Sequence, residues 1–175
     1  MNALLPHAAH AMRAGGEEKD MGDRSRGFVS GPGEGRKVHV FGVVLTLRVP
    51  SADTAGDFAV WEEAATPGSG PPRHIHHRTD EAFQILEGHY QVWYDGQIHE
   101  LGPGAMAMIP KGTPHTFRCV GPSDGRMLTT VVPGGLDDFF IEIETRGFKL
   151  PDDLGQLVAL GARHGHDFIG PPLGD

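Results

Sequence analysis

The chain has 175 residues, a net charge of −8 and a hydrophobic fraction of 38%. This length suits one domain with its own core and is short for two. The acidic balance and the lack of a long Lys/Arg cluster argue against nucleic acid as a partner, and no apolar run is long enough to predict a membrane span. A single cysteine, Cys119, excludes an intramolecular disulfide and a cysteine-based zinc site, so we expect a cytoplasmic protein.

Residues 1–35 carry no sustained hydrophobic period and predict a mobile N-terminal arm. The apolar stretch from Lys37 to Val49 predicts one buried strand, and residues 58–62 predict a second. Two adjacent prolines, Pro71 and Pro72, place a loop before the next strand.

Short apolar runs separated by Gly, Pro and Asp then follow one another as far as residue 133. Asp95-Gly96 between two of these runs is a strong hairpin signal. A series of this kind is typical of an all-β sandwich or closed barrel. The predicted strands cover residues 73–77, 81–86, 89–94, 97–101, 105–109, 115–120 and 127–132.

The pattern changes after Gly135, where apolar residues recur at helical spacing. The first predicted helix carries Leu136, Phe139, Phe140 and Ile143, and the second carries Leu154, Leu157, Val158 and Ala162. Asp152 is the expected cap of the second helix. We therefore predict one domain over residues 1–175, with an arm (1–35), a barrel (36–133) and a C-terminal helical extension (134–175).

The chain contains 11 histidines, of which two form the sequence His74-Ile75-His76. Alternate residues of a strand point to the same face, so both imidazoles can converge on one ion. Taken alone the pair is weak, because roughly 0.7 such pairs arise by chance at this histidine content.

The residues around this histidine pair make it a more specific indication of a metal site. The first block has Gly68, His74, His76, Glu81 and Gly88 at fixed spacing, and a second block reads Gly104-x5-Pro110-x-Gly112-x2-His115. Both blocks resemble the two motifs of the cupin family, over roughly residues 37–133. The resemblance implies a single jelly-roll barrel.

The resemblance also implies that one divalent metal is held by His74, His76, Glu81 and His115. Asp80 is the neighbouring candidate, but on a strand it would point away from the face of Glu81. Three imidazoles and a carboxylate suit Mn, Fe, Co, Ni, Cu or Zn and do not choose among them. Cys119 stands where the family usually has Asn, too far along the strand to reach the metal, and is expected in the core.

The remaining histidines receive no role at this stage. His77 is expected to face outward, and the others lack a partner at ligand spacing: His39, His89, His99, His164 and His166.

Strand parity predicts an apolar substrate pocket beside the ligands. Its expected residues are Phe83, Ile85, Met106, Met108 and Phe117. Each of them could equally be a filler of the barrel. The run Gly70-Pro-Pro-x-His-x-His and the segment Pro133-Gly-Gly135-Leu resemble the single-barrel relatives of quercetin 2,3-dioxygenase.

That closer resemblance implies a flavonol or another enol-bearing aromatic as substrate and dioxygen as co-substrate, with Glu81 as ligand and catalytic base. Two other classes stay open: a non-oxidative metal enzyme such as an isomerase, cyclase or decarboxylase, and a small-molecule-binding protein without catalysis. Small cupins commonly pair, so we expect a homodimer.

Overall fold

The computed structural model describes residues 27–40 and 43–174. Most of the predicted arm therefore lies outside the described residues. Eleven strands and two α-helices are formed in the described part of the chain. The strands are β1 (Arg36–Val40), β2 (Val43–Val49), β3 (Ala59–Ala65), β4 (Arg73–His76), β5 (Asp80–Glu87), β6 (His89–Tyr94), β7 (Gln97–Leu101), β8 (Met106–Ile109), β9 (His115–Val120), β10 (Gly125–Val132) and β11 (His166–Gly170). The helices are α1 (Leu136–Arg146) and α2 (Leu154–Arg163).

The strands form two antiparallel sheets, as the all-β jelly-roll prediction requires. The six-stranded sheet has the order β1-β2-β3-β10-β5-β8, and the five-stranded sheet has the order β11-β4-β9-β6-β7. Neighbours such as β3 and β10 are far apart in sequence, so each sheet is built largely from non-local pairs. The four predicted ligands divide between the sheets, with β5 in the first and β4 and β9 in the second.

The prediction of one strand from Lys37 to Val49 is wrong, because this stretch is a hairpin. β1 pairs antiparallel with β2, from Arg36 opposite Leu47 to Val40 opposite Val43. Composition alone marks the stretch as apolar and β-forming, but it does not locate the reversal between Val40 and Val43, where Gly42 is the one turn-forming residue of the stretch. The hairpin predicted at Asp95-Gly96 is confirmed, with both residues at positive φ between β6 and β7.

Two clusters of buried side chains form the core. One lies inside the barrel and includes Phe83, Tyr90, Phe117, Cys119 and Met127, which confirms the expected core position of Cys119. The other joins the first sheet to the helices, and its members include Val38, Leu45, Trp61, Phe139 and Leu160. Helix α1 packs against β1 and α2 packs against β11.

Both predicted helices are confirmed, but the expected cap is not. The N-cap of α2 is Asp153 rather than Asp152, and its Oδ2 accepts a hydrogen bond from the amide of Lys149 at 2.8 Å. Helix α1 is anchored at its start by buried Asp137, whose carboxylate accepts hydrogen bonds from the amide and hydroxyl of Ser51. In the described residues, neither helix has the length and hydropathy needed to cross a membrane.

Candidate metal centre and its cavity

The four predicted ligands lie together at the mouth of the barrel. His74 and His76 are on β4, Glu81 is the second residue of β5, and His115 begins β9 directly opposite His74. One nitrogen or oxygen from each of the four lies within 4.8 Å of those of the others, and all four residues are buried. Strand alternation explains the geometry, because His74 and His76 share the inward face of β4.

Backbone carbonyls fix the orientation of two of these imidazoles. Nδ1 of His74 donates to the carbonyl of Pro72 at 2.7 Å, and Nδ1 of His115 donates to the carbonyl of Thr113 at 2.9 Å. A carbonyl can only accept, so each ring carries a proton on Nδ1, which leaves Nε2 as the nitrogen that can bind a metal. Each carbonyl comes from the residue two positions earlier in the chain.

The third imidazole is oriented by a residue that sequence reasoning missed. Nδ1 of His76 lies 3.2 Å from Nδ1 of His166, while Nε2 of His76 lies 3.4 Å from Oε2 of Glu81. His166 is buried on β11, pairs with His76 in register and stacks on the ring of His74, with the centroids 4.7 Å apart. The sequence does not reveal this contact, because β11 follows β4 by some 90 residues and the two strands meet only in the fold.

The carboxylate of Glu81 faces two of the imidazoles. Its Oε2 lies 2.9 Å from Nε2 of His115 and 3.4 Å from Nε2 of His76. Burial alone would raise the pKa of Glu81, but His76 and His115 outweigh burial and hold the pKa well below its usual value. Asp80 points elsewhere, since its Oδ1 accepts a hydrogen bond from the amide of Lys111 at 2.8 Å.

The imidazoles differ in how readily they take a proton. Burial, together with neighbouring His115, His76 and His166, lowers the pKa of His74 well below its usual value. For His115 burial acts in the same direction, but the hydrogen bond to Glu81 outweighs it and the pKa is raised. His74 is therefore neutral near pH 7, as a metal ligand must be.

The donor set fits a divalent transition metal. Three imidazole nitrogens, each on a ring whose other nitrogen is hydrogen-bonded, and one ionised carboxylate oxygen lie within 4.8 Å of one another. Mg²⁺ and Ca²⁺ prefer shells made only of oxygen, which this site does not offer. The group does not distinguish among the first-row metals.

A cavity beside the four residues runs toward helix α1. Its volume is about 110 Å³. The wall is mainly apolar: Val40, Val43, Leu45, Trp61, Phe117, Phe139, Phe140, Ile143 and Phe168. The polar groups on the wall are His74, His76, Glu81, His166 and Glu63.

The predicted pocket agrees with this wall only at Phe117. Phe83 and Ile85 are buried in the barrel core rather than on the wall, although the ring of Phe83 lies 6.3 Å from that of His115. The prediction for Met106 and Met108 is wrong, because they are 63% and 56% exposed on the outer face of β8.

The error at β8 follows from strand parity. Met108 lies opposite Ala82, and Ala107 lies opposite the inward-facing Phe83. The sequence Met-Ala-Met-Ile is apolar at every position, so it carries no alternation from which the inner face could be predicted. The wall formed by α1 was also not predicted, since nothing local in the sequence ties that helix to the ligands.

Comparisons with known proteins agree with this geometry. The family model described as "Cupin domain" matches residues 61–131. A quercetin 2,3-dioxygenase from Bacillus subtilis is 28% identical over 124 residues, which cover 71% of this chain and 36% of that protein. A second quercetin 2,3-dioxygenase, from Aspergillus japonicus, is 32% identical over 77 residues, which cover 41% of this chain and 22% of that protein.

Among solved structures, KdgF from a Halomonas species superposes with a TM-score of 0.57 at 19% identity, over 65% of this chain and 99% of that one. At that identity the likeness concerns the fold alone. The chain spans about a third or less of the length of the two dioxygenases it matches. The matched domain, the two antiparallel sheets and the inward-facing His and Glu residues agree, and residues 61–131 of the chain match a cupin domain.

Proposed function

We propose that this protein is a metal-dependent dioxygenase that acts on a flavonol or a similar enol-bearing aromatic. The observation that carries the proposal is the group of four buried residues, His74, His76, Glu81 and His115, at one end of an apolar cavity. The similarity to two quercetin 2,3-dioxygenases supports the choice of reaction. When bound, a divalent transition metal supplies Lewis acidity toward a substrate oxygen.

The residues of the chain supply binding and proton transfer. Phe117 and the aromatic side chains of α1, Phe139 and Phe140, line the cavity and offer flat apolar surface to an aromatic ring. Their burial also keeps water away from a reactive substrate. A molecule of flavonol size is larger than the cavity volume of about 110 Å³, so part of it would extend beyond the cavity.

We assign the acceptance of the enol proton to Glu81. This carboxylate is held in its ionised form, and a proton acceptor must begin the reaction in that form. Its Oε2 faces His115 and His76, so a proton taken up there stays within a hydrogen-bonded group. Glu81 would then serve both as a ligand of the metal and as the acceptor of the enol proton.

Oxygen consumption tests the reaction. Protein reconstituted separately with Mn, Fe, Co, Ni, Cu and Zn is given quercetin in an oxygen electrode, and uptake that depends on the metal is expected. Glu81→Gln should reduce turnover by about 100- to 10,000-fold and retain much of its metal, since three imidazoles remain. Asp80→Asn is the matched control, because Asp80 bonds the amide of Lys111 and faces away from the site.

The same samples distinguish the other classes. No oxygen uptake with any metal, together with turnover of another substrate under argon, would overturn the dioxygenase proposal in favour of an isomerase, cyclase or decarboxylase. Tight flavonol binding without turnover in either atmosphere would favour a binding protein.

The cytoplasmic location and the homodimer remain predictions. Light scattering at micromolar concentration measures the second directly, and a monomeric mass would contradict it.

A further inference from the structure

A second buried carboxyl lies on the wall of the cavity and plays no part in the four-residue group. Glu63 is on β3, only 7% exposed, and lines the same cavity as His76 and Glu81. It makes no hydrogen bond or ion pair with the described residues. Buried carboxyl groups ordinarily have such partners, as Asp137 does with Ser51.

The surroundings of Glu63 favour its neutral form. Its register partners, Leu45 on β2 and Met127 on β10, are buried and apolar. Burial raises the pKa of Glu63 to about 8, and the charge of Glu81 adds to the effect. A carboxyl group that stays protonated near pH 7 can donate a hydrogen bond, which an ionised one cannot.

A second polar group of the same strand is buried beside the cavity and lacks a partner among the described residues. Trp61 precedes Glu63 by two residues, so both side chains point inward, and both line the cavity. The indole Nε1 of Trp61 is buried and has no hydrogen-bond partner among the described residues. β3 therefore carries two unpartnered polar groups beside the same cavity, an indole N–H and a carboxyl group.

We propose that Glu63 is a specificity-determining residue, which binds an oxygen of the substrate that lies remote from the metal by donating a hydrogen bond to it. The ligand class is an elongated aromatic molecule with an enol oxygen at one end and a hydroxyl or carbonyl oxygen at the other. This inference rests on the proposed function, because it takes the enol end of the ligand to lie beside Glu81.

The strand register supports an elongated ligand. On β10, Met127 lies opposite Glu63 and Val131 lies opposite Glu81. Four residues of a strand span about 13 Å, a separation that both side chains shorten by reaching inward. A molecule that contacts both carboxyl groups must therefore extend along the barrel.

The test compares two flavonol probes that differ in their remote oxygens. Quercetin carries hydroxyl groups on its outer rings, whereas 3-hydroxyflavone carries none. Binding to metal-loaded protein is measured at pH 6.5 under argon by titration calorimetry. Wild type should prefer quercetin, and Glu63→Met should lose about 5- to 100-fold of that preference, which is the range expected for a buried hydrogen bond left unmade.

Two variants separate recognition from a general change of the wall. Glu63→Gln keeps a donor of similar shape and should retain most of the preference. Leu45→Met changes the same wall without adding or removing a polar group. It should change the binding affinity for both probes by the same factor. The preference of wild type should also fall as the pH rises and Glu63 ionises, whereas that of Glu63→Gln should stay constant.

The infrared spectrum reports the protonation of Glu63 without any ligand. The difference between wild type and Glu63→Gln at pH 6.5 should contain the carbonyl band of a neutral carboxylic acid, and its absence would overturn the inference. An equal preference for quercetin in wild type and Glu63→Met would overturn it too, and would leave the proposed function standing. No binding of either flavonol to wild type would overturn both.

Discussion

His76 and His166 face each other through their Nδ1 atoms at 3.2 Å, although 90 residues separate them in the chain. Two nitrogen lone pairs at that distance would repel each other. One of the two nitrogens therefore carries a proton and donates a hydrogen bond, and the other nitrogen accepts that hydrogen bond. If Nε2 of His76 is to bind a metal, the proton must be on Nδ1 of His76, and His166 is the acceptor. His166 thus orients His76, as backbone carbonyls orient His74 and His115.

Replacement of His166 should weaken metal binding without removing a ligand. His166→Phe keeps an aromatic ring against His74 and Phe139 but removes the acceptor, so metal affinity should fall by about 10- to 100-fold. Competition with a chromogenic chelator measures the change. His77→Asn is the control, because the ring of His77 is exposed and bonds the carboxylate of Asp167 on β11 rather than the four-residue group. Equal affinity in His166→Phe and wild type would contradict the assigned role.

Loss of any imidazole of the group should lower the metal content directly. His74→Ala, His76→Ala and His115→Ala should each reduce the bound transition metal well below one ion per chain, as measured by elemental analysis. His89→Ala is a suitable control, since His89 is exposed and lies outside the group. Near-stoichiometric metal in all three variants, with circular dichroism confirming the fold, would exclude the assignment.

Metal binding should release a proton from His115. The pKa of this residue is raised in the metal-free protein, so the ring is partly protonated around pH 7 and must become neutral to bind. Affinity should therefore rise with pH up to the pKa of His115 and level off above it. Calorimetry in buffers of different ionisation enthalpy counts the protons released. A count near zero at pH 6.5 would contradict the expectation.

Glu63 should make the metal-free protein less stable at high pH. Its pKa is raised from 4.5 to about 8 in the folded protein, so the folded state binds more protons than the unfolded state between these values. The contribution of Glu63 to the free energy of unfolding is then highest below pH 4.5, falls by up to about 1.4 kcal/mol per pH unit between pH 4.5 and about 8, and is lost above that. Urea unfolding of wild type and Glu63→Gln measures this contribution, and parallel pH profiles would refute it.

The sequence was most informative where chemistry and spacing reinforced each other. The two motifs predicted the inward faces of β4, β5 and β9, because the spacing of His74, His76 and Glu81 is tied to strand alternation and to the turns that follow. The segments between residues 73 and 132 were also placed well, since Gly, Pro and Asp-Gly signals separate them. The helices were predicted because their apolar residues recur at helical spacing.

The failures share one physical cause, which is dependence on distant partners. β11 is a five-residue strand that pairs with β4, and nothing in His166–Gly170 by itself indicates that partner. The pairing of β8 with β5 decides which side chains of β8 face inward. A strand that is apolar at every position gives no sign of that choice in its sequence. Glu63 stands in the unremarkable run Trp-Glu-Glu-Ala, where only the fold reveals which glutamate is inside.

Helix α1 forms one wall of the cavity, and its residues lie outside the two sequence motifs that contain the four converging residues. Phe139, Phe140 and Ile143 come from residues that follow the matched domain, whereas the four converging residues lie between positions 74 and 115. Substitutions on this helix face can widen or narrow the space for a ligand while the His and Glu geometry stays intact. For protein engineering, the choice of substrate and the retention of metal are therefore separable design variables, and a library confined to three positions of one helix would explore the first at little risk to the second.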